Sequence, residues 1–488
     1  MDLLPRRPIF NRQPENNVYR VFLYSILIIG GLWICFGVQR GTIKPAGDPT
    51  ATPTRAAQSY SAEGDAHFTS GDLASAISAY HRALDQDPSN AAIWATLARV
   101  QTYNSSMKTN DEDRRAALSD ALASINQAKS LAPDDSTVAA TRAFVLDWNA
   151  TPSISGDRAA GLLVEAEQEA VRALNLDNAN ILALAYYAEI LIDEQRVDQA
   201  EQNIVKALDL GRNLMDVHRV YAYLLETEGL YSQAIDEYKK SIEITPNLTF
   251  LYMRAGANYR TLAFKSTSDE QRQTMYDNSL EYFDKAAKIN ERLKVKDPAP
   301  YLSISKTDSQ LGDFYNAGRN VKKALLYDPT SADVYGQLGI VFTRSRNFEG
   351  AIPALKCAIY GCTAADSCIA RGYTGCDDTV IGVAVNGLAL SESSIPYYYS
   401  YISNLAALSR PKVNKCPEAR QVMQQIRDGG YDKDPVVASI LQENENICVI
   451  VDQKIAGTYV TSTPAPTAVV TQTAQAPADS TATPTPGP

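Results

Sequence analysis

Apolar residues return along this chain at helical spacing, and small residues mark two fixed points within the pattern, seven residues apart. The first point holds Ala76, Ala121, Ala166, Ala200, Ala234, Ser279, Ala317 and Ala351. The second holds Ala83, Ala128, Ala173, Ala207, Ser241, Ala286, Ala324 and Ala358. Where the spacing is undisturbed the unit is 34 residues long, at 57–90, 181–214, 215–248, 298–331 and 332–365. A fixed period of this size means stacked supersecondary units, each too small to bury its apolar face alone. The pattern therefore predicts an all-α solenoid built from helix pairs.

Residues 57–90 show how one unit works. Gly64 and Ala76 let two antiparallel helices approach closely, since side-chain size sets the interaxial distance. Gly71 suits the turn between them, where a left-handed backbone costs glycine little. Tyr80 fills the layer, Ala83 admits the next helix, and Pro88 stops the second helix because it lacks an amide donor. Unit 215–248 repeats the plan with Tyr221, Ala222, Gly229, Tyr231, Ala234, Tyr238 and Pro246. Unit 332–365 does so with Tyr335, Leu338, Gly339, Phe348, Ala351, Leu355 and Ala358.

These residues resemble the tetratricopeptide repeat family, whose pattern sets an aromatic, Leu-Gly, Tyr, Ala, an aromatic, Ala and Pro at fixed offsets. The resemblance covers 57–365 as eight repeats; Asn178 and Arg212 depart from it where proline is expected. It implies a right-handed superhelix whose concave surface binds a peptide or protein. In the family, contacts come from first-helix positions 2, 5, 9, 12 and 13. Carried over, these name Arg99, Tyr103, Glu189, Asp193, Arg219, Tyr223, Glu226, Arg260, Lys306 and Arg344 as groove candidates. Their charges are mixed and do not specify a ligand. Chaperone-binding members pair Lys at position 5 with Asn at 9; here 57–90 has Ser61 and Asp65, and 181–214 has Ala185 and Glu189. That argues against a chaperone-tail clamp.

Three units, at roughly 91–135, 136–180 and 249–297, are longer by 11 residues between the first helix and the first small position. Eleven residues is close to three helical turns, so an insertion of that length returns the chain to nearly the same face. Asp111–Leu131 and Gly156–Leu176 keep helical spacing, which predicts lengthened second helices with solvated Ser, Asn and Thr at their starts.

Val21–Val38 is an 18-residue run without a charge, about 27 Å as a helix and close to the thickness of a bilayer core. Tyr24 and Trp33 suit its interfaces, and Arg6, Arg7, Arg12 and Arg20 precede it. The arginine bias predicts a single-pass cell-membrane protein with a cytoplasmic N-terminus (1–20) and extracytoplasmic repeats. A cleaved signal peptide is the rival reading, opposed by the long leader and the lack of a small-x-small site after Val38.

Cys35 lies in the apolar run; Cys357, Cys362, Cys368, Cys376, Cys416 and Cys448 fall in the last quarter of the chain. An even number on the expected outside suggests disulfides, with free thiols as the alternative. No C-x-x-C pair occurs and His67, His81 and His218 are distant, so no metal site is expected. Residues 366–456 read as a C-terminal cap, a degenerate repeat with an insertion that shields the last apolar face. Within it, Thr379–Leu390 around Asn386-Gly387 predicts a short hairpin. Helices are expected at 396–408, 418–427 and 434–445. Cys416 before one of these and Cys448 after the next would meet at one end of an antiparallel pair. The other four would then pair among themselves and tie the hairpin to the last repeat.

Two segments are low in complexity: the Pro/Thr spacer 41–56 and the Thr/Pro/Ala tail 457–488. The tail cannot bury enough apolar surface to offset chain entropy and is expected to be disordered, with an O-glycosylated or wall-facing stalk as the alternative. A net charge of −10 and the lack of any Lys/Arg run argue against a nucleic-acid partner. P-loop, H-E-x-x-H and G-x-S-x-G motifs are missing, and acids such as Asp111–Asp113 read as helix starts. Neither enzyme activity nor a cofactor is expected. Sequons at Asn104, Asn149 and Asn247 matter only in a glycosylating compartment.

These readings point to a membrane-tethered scaffold for a protein or peptide. The alternative is a non-catalytic subunit of envelope polysaccharide or secretion machinery, with glycan as a possible ligand. A third reading places an enzyme site in the 366–456 cap.

Overall fold

The computed structural model describes residues 17–40, 55–108, 111–377 and 380–459. The leader 1–16, nearly all of the spacer and the tail from 460 lie outside them. The chain divides into two bodies, residues 1–56 and 57–488.

In the first body, α1 (Val18–Gln39) has 22 residues and no buried side chain, and spans ~33 Å at 1.5 Å per residue. Asn17 caps it by accepting the Tyr19 amide at 3.2 Å. It is long and apolar enough to cross a membrane.

The second body is a run of helix pairs: α2 (Ala57–Thr69) with α3 (Leu73–Gln86), α4 (Ala91–Ser105) with α5 (Asp111–Leu131), and α6 (Ser136–Asn149) with α8 (Ala159–Leu176). Between the last two lie the one-turn α7 (Pro152–Ser155) and a 3₁₀ turn. Next come α9 (Ile181–Asp193) with α10 (Val197–Leu210), α11 (Met215–Thr227) with α12 (Tyr231–Ile244), and α13 (Thr249–Lys265) with α14 (Asp269–Leu293). The last two pairs are α15 (Ala299–Leu311) with α16 (Phe314–Tyr327), and α17 (Ala332–Arg344) with α18 (Phe348–Tyr360). No strand occurs among the described residues.

Every one of the recurrent small residues is fully buried, from Ala76 and Ala83 to Ala351 and Ala358. The two positions that hold serine keep it dry by bonding backbone: Ser241 donates to the Met215 carbonyl and Ser279 to that of Gly256. A methyl group on Gly64 would sit 2.7 Å from the Tyr80 ring, which explains why the small residue faces the large one. Helix ends keep register without proline. α8 still stops at Leu176 and α10 at Leu210, although Asn178 and Arg212 replace the expected prolines.

The turn inside each of the five pairs with undisturbed spacing demands a left-handed residue. Gly71, Gly229 and Gly312 supply it at φ of 78–80°, while Gln195 and Arg346 are forced to φ of 61° and 60° at the equivalent point. The insertions take two forms. α5 and α14 extend to 21 and 25 residues as unbroken helices. In the unit between them, the added length is spent on α7 and the 3₁₀ turn before an 18-residue α8.

The C-terminal region continues the stack with α19 (Ala364–Ala370), α20 (Ile395–Leu408), α21 (Cys416–Asp428) and α22 (Pro435–Ala456). The hairpin expected over 379–390 is absent: residues 380–390 form no strand pair. Instead Val385 bridges to Cys362, and the Leu388 amide donates to the Ala358 carbonyl at 2.8 Å. Asn386-Gly387 is thus not a turn. Gly387 lies so tightly on the end of α18 that a Cβ would approach the Tyr360 carbonyl carbon to 2.5 Å. The last helix is longer than the pattern indicates, running on to Ala456.

Cys357 lies at disulfide distance from Cys362, Cys368 from Cys376, and Cys416 from Cys448, with Cα separations of 4.8, 5.4 and 5.5 Å. The first two links are local. They close the end of α18 and the loop after α19, and do not tie a hairpin to the repeats. Cys35 is exposed on α1.

Candidate binding pocket between the first helices

The first helix of each pair contributes to an inner surface, and in the N-terminal half this surface meets itself. Tyr103 of α4 stacks on Phe250 of α13 with ring centroids 5.4 Å apart, and Thr249 donates to the Met107 sulfur at 3.1 Å. Asp216 of α11 is fully buried and accepts from Arg99, Tyr103 and Tyr186, the last at 2.8 Å. Burial alone would raise this carboxyl. The Arg99 guanidinium, joined by the Arg219 charge and the Tyr103 hydroxyl, outweighs burial and holds its pKa down to about 2.

One layer further along, Arg219 grips Glu189 through both nitrogens at 2.6 and 2.5 Å. Both groups are buried. The guanidinium lies over the rings of Tyr103, Phe144 and Trp148 at 5.6–6.0 Å, an arrangement suited to a desolvated cation. Trp148 Nε1 donates to the same Glu189 carboxylate at 3.2 Å. Beyond it, Glu226 accepts from Tyr238, Asn258 and Arg254 at 3.0–3.1 Å.

Between these layers is a cavity of about 500 Å³. Its walls carry Trp148, Phe250, Leu118 and Met253 as apolar surface, with Asp147, Asp193, Arg219 and Tyr223 among the polar groups. Tyr223 donates to Asp193 at 2.7 Å. Asp147 is only 5% exposed, and its Oδ1 has no hydrogen-bond partner; neither has Nε of Arg219. Burial pushes the Asp147 carboxyl well above the usual range, and the neighbouring Asp193 and Glu189 carboxylates push it further.

The ten groove candidates separate accordingly. Glu189, Asp193, Arg219 and Tyr223 line the cavity; Arg99 and Tyr103 are spent on Asp216 beneath it; Glu226 braces its far wall. The other three lie elsewhere. Arg260 donates to the Ser303 carbonyl at 3.2 Å and covers the Phe283 ring. Lys306 is lowered in pKa by the nearby Arg260 charge and by burial, and Arg344 is exposed at the end of α17. Asp147, Trp148, Asp216 and Phe250 were missed. They occupy positions 12, 13, 2 and 2 of their units, so the same register would have found them. Among the described residues no group of three or more His, Cys, Asp or Glu could hold a metal ion.

Sequence models of the tetratricopeptide repeat match residues 57–100 and 220–248. The chain carries tetratricopeptide repeats. No curated protein matches it. Among solved structures, a chain of the APC/C hetero-tetramer Cut9-Hcn1 is similar at 13% identity and TM-score 0.44, covering 63% of this chain and 52% of that one. The chain thus spans about half the length of that relative. A human IFIT1 dimer with PPP-AAAA is similar at 14% identity and TM-score 0.44, covering 82% of this chain and 83% of that one. A thermophilic tetratricopeptide repeat protein of Thermus thermophilus is similar at 18% identity and TM-score 0.34, covering 42% of this chain and 98% of that one.

Proposed function

We propose that this chain is a membrane-tethered, non-catalytic scaffold whose tetratricopeptide repeats hold a protein or peptide partner outside the cytoplasm. The interaction role is what such repeats suggest. The observation that carries the reading to a site is the cavity between α6, α9, α11 and α13, where two buried polar atoms are left without partners. Burying such groups costs free energy that the fold alone does not return. The tether is α1, with its unburied apolar surface. The location rests on the six cysteines at disulfide distance, all C-terminal to α1, since disulfides persist in oxidising compartments.

Protease added to intact cells or spheroplasts tests the topology. The repeats should be cut while the first twenty residues are spared. Protection of the repeats would reverse the orientation. Crosslinking in the membrane, with a photoreactive residue at Phe250, tests the partner reading. A discrete adduct lost in a chain whose cavity is filled supports it; no adduct at any cavity position argues against it.

A further inference from the structure

We propose that the cavity lined by Asp147, Asp193, Arg219, Trp148 and Phe250 takes a primary ammonium group followed by a carbonyl, the chemistry of a peptide amino terminus. This deepens the scaffold reading and rests on it only in taking a peptide as the source of the ammonium.

Charge and hydrogen-bond accounting point to this occupant. Each arginine on the cavity wall already has a carboxylate of its own: Arg219 has Glu189 at 2.5 Å, Arg254 has Glu226 at 3.1 Å, and Arg114 has Asp111 at 3.4 Å. Asp297 takes the Ala299 amide and the Asn290 side chain at 2.9 and 3.0 Å. What remains is the pair Asp147 and Asp193, hydrogen-bonded to each other, with the Tyr223 hydroxyl on Asp193 and, as the nearest cation, an Arg219 already held by Glu189. Two carboxyls in one low-dielectric site must share a proton or receive a positive charge. An anion placed there would face both of them.

The unused atoms also fit a ligand in order. Once ionised, Asp147 can only accept at Oδ1, and Arg219 Nε can only donate. An ammonium satisfies the first, and the carbonyl oxygen three bonds further on, through Cα, satisfies the second. Trp148, Phe250, Leu118 and Met253 provide an apolar wall for a first side chain, within a volume typical of small-ligand pockets.

Binding of an ammonium displaces the shared proton, so affinity should weaken as pH falls through the raised pKa of Asp147. The charged and titratable groups around the cavity are Asp193 and Glu189 from α9, Arg219 and Tyr223 from α11, Arg114 from α5, Tyr238 from α12, Arg254 from α13 and Asp297 ahead of α15. The arginines are paired as above and Asp297 is held by Ala299 and Asn290, which leaves Asp147 and Asp193 as the carboxyls open to the ligand.

The test is calorimetric titration of the detergent-solubilised full chain with phenylalanine amide, N-acetyl-phenylalanine amide and the peptide Phe-Ala-Ala-Ala. Phenylalanine amide should bind at one site, with at least a tenfold loss on acetylation, a similar loss in Asp147→Asn, and proton release detectable as a buffer-dependent heat. Tighter binding of the tetrapeptide assigns the site to peptide amino termini. Equal binding assigns it to small free amines and leaves the scaffold reading to the crosslinking experiment. Equal affinity for the acetylated and free amides, or no binding of either amine or peptide, overturns the proposal. Should Asp147→Asn fail to fold, as judged by circular dichroism, the acetylation comparison on the unaltered chain still decides.

Discussion

Arg99 of α4 and Asp216 of α11 stand 117 residues apart in sequence and meet in a salt bridge whose carboxylate is fully buried. The pair joins the second helix pair to the fifth, so it reports on how the stack curls rather than on any one repeat. Removing a single partner leaves an uncompensated buried charge. Asp216→Ala should therefore cost about 3–5 kcal/mol of stability, and the apolar double change Arg99→Met with Asp216→Leu should cost less than the sum of the singles. Denaturant titration of Asp216→Ala, of the singles Arg99→Met and Asp216→Leu, and of their double measures the difference. The sign with pH follows from the lowered pKa of Asp216. Its contribution is complete above the unfolded value near pH 4 and is lost as pH falls toward 2.

Asp147 should behave in the opposite sense. Burial first, then the Asp193 and Glu189 carboxylates, raise its pKa above the unfolded value. The folded state therefore prefers the proton, and the group weakens the fold as pH rises through that raised value. Asp147→Asn should raise stability at pH 7–8 by about 1 kcal/mol, in the range common for relieving a strained functional site. The gain should disappear below pH 4, where both states are protonated. Thermal melts of the two proteins across this range check it; a constant difference at all pH values would contradict the assignment.

The left-handed turn offers a test of the repeat geometry itself. Gln195 and Arg346 hold φ near 60° where Gly71, Gly229 and Gly312 do so without a Cβ. A left-handed conformation costs an ordinary L-residue roughly 1–2 kcal/mol, partly offset by the greater unfolded-state entropy of glycine. Gln195→Gly and Arg346→Gly should each stabilise the chain by about 0.5–1 kcal/mol, additively because the sites are far apart in the stack. The reverse change, Gly229→Gln, should destabilise by a similar amount. Chemical denaturation with unchanged slope is the measurement.

The stacking plan was legible because it is written in residue size: Ala76, Ala83 and their equivalents recur where helices touch, and all are buried. The pocket was half legible. Position within the unit pointed to Glu189, Asp193, Arg219 and Tyr223, and would equally have pointed to Asp147 and Phe250. That Arg99 and Tyr103 would be consumed by Asp216 could not be read, because it depends on curl summed over several units. The hairpin failed for a local reason. Asn-Gly favours a tight turn between strands, but Gly387 is needed here for close approach to the end of α18.

Cys416 opens α21 and Cys448 lies within α22, both fully buried, with Cα atoms 5.5 Å apart. Their sequence separation of 32 closes a loop for which the chain-entropy model gives about 3–4 kcal/mol. Cys357–Cys362 and Cys368–Cys376 close loops of only 5 and 8 residues, and the same model assigns them less. The double change Cys416→Ser with Cys448→Ser should therefore lower stability more than either of the corresponding changes at the shorter links. It should also loosen α22 from α20, where Asn444 donates to Ser403 at 3.1 Å, visible as faster amide exchange in α22 than in α17. Peptide mapping without reduction should recover Cys416 and Cys448 in one linked fragment. Recovery of both as free thiols from oxidatively folded protein would rule this link out and leave the argument for an oxidising compartment to Cys357–Cys362 and Cys368–Cys376.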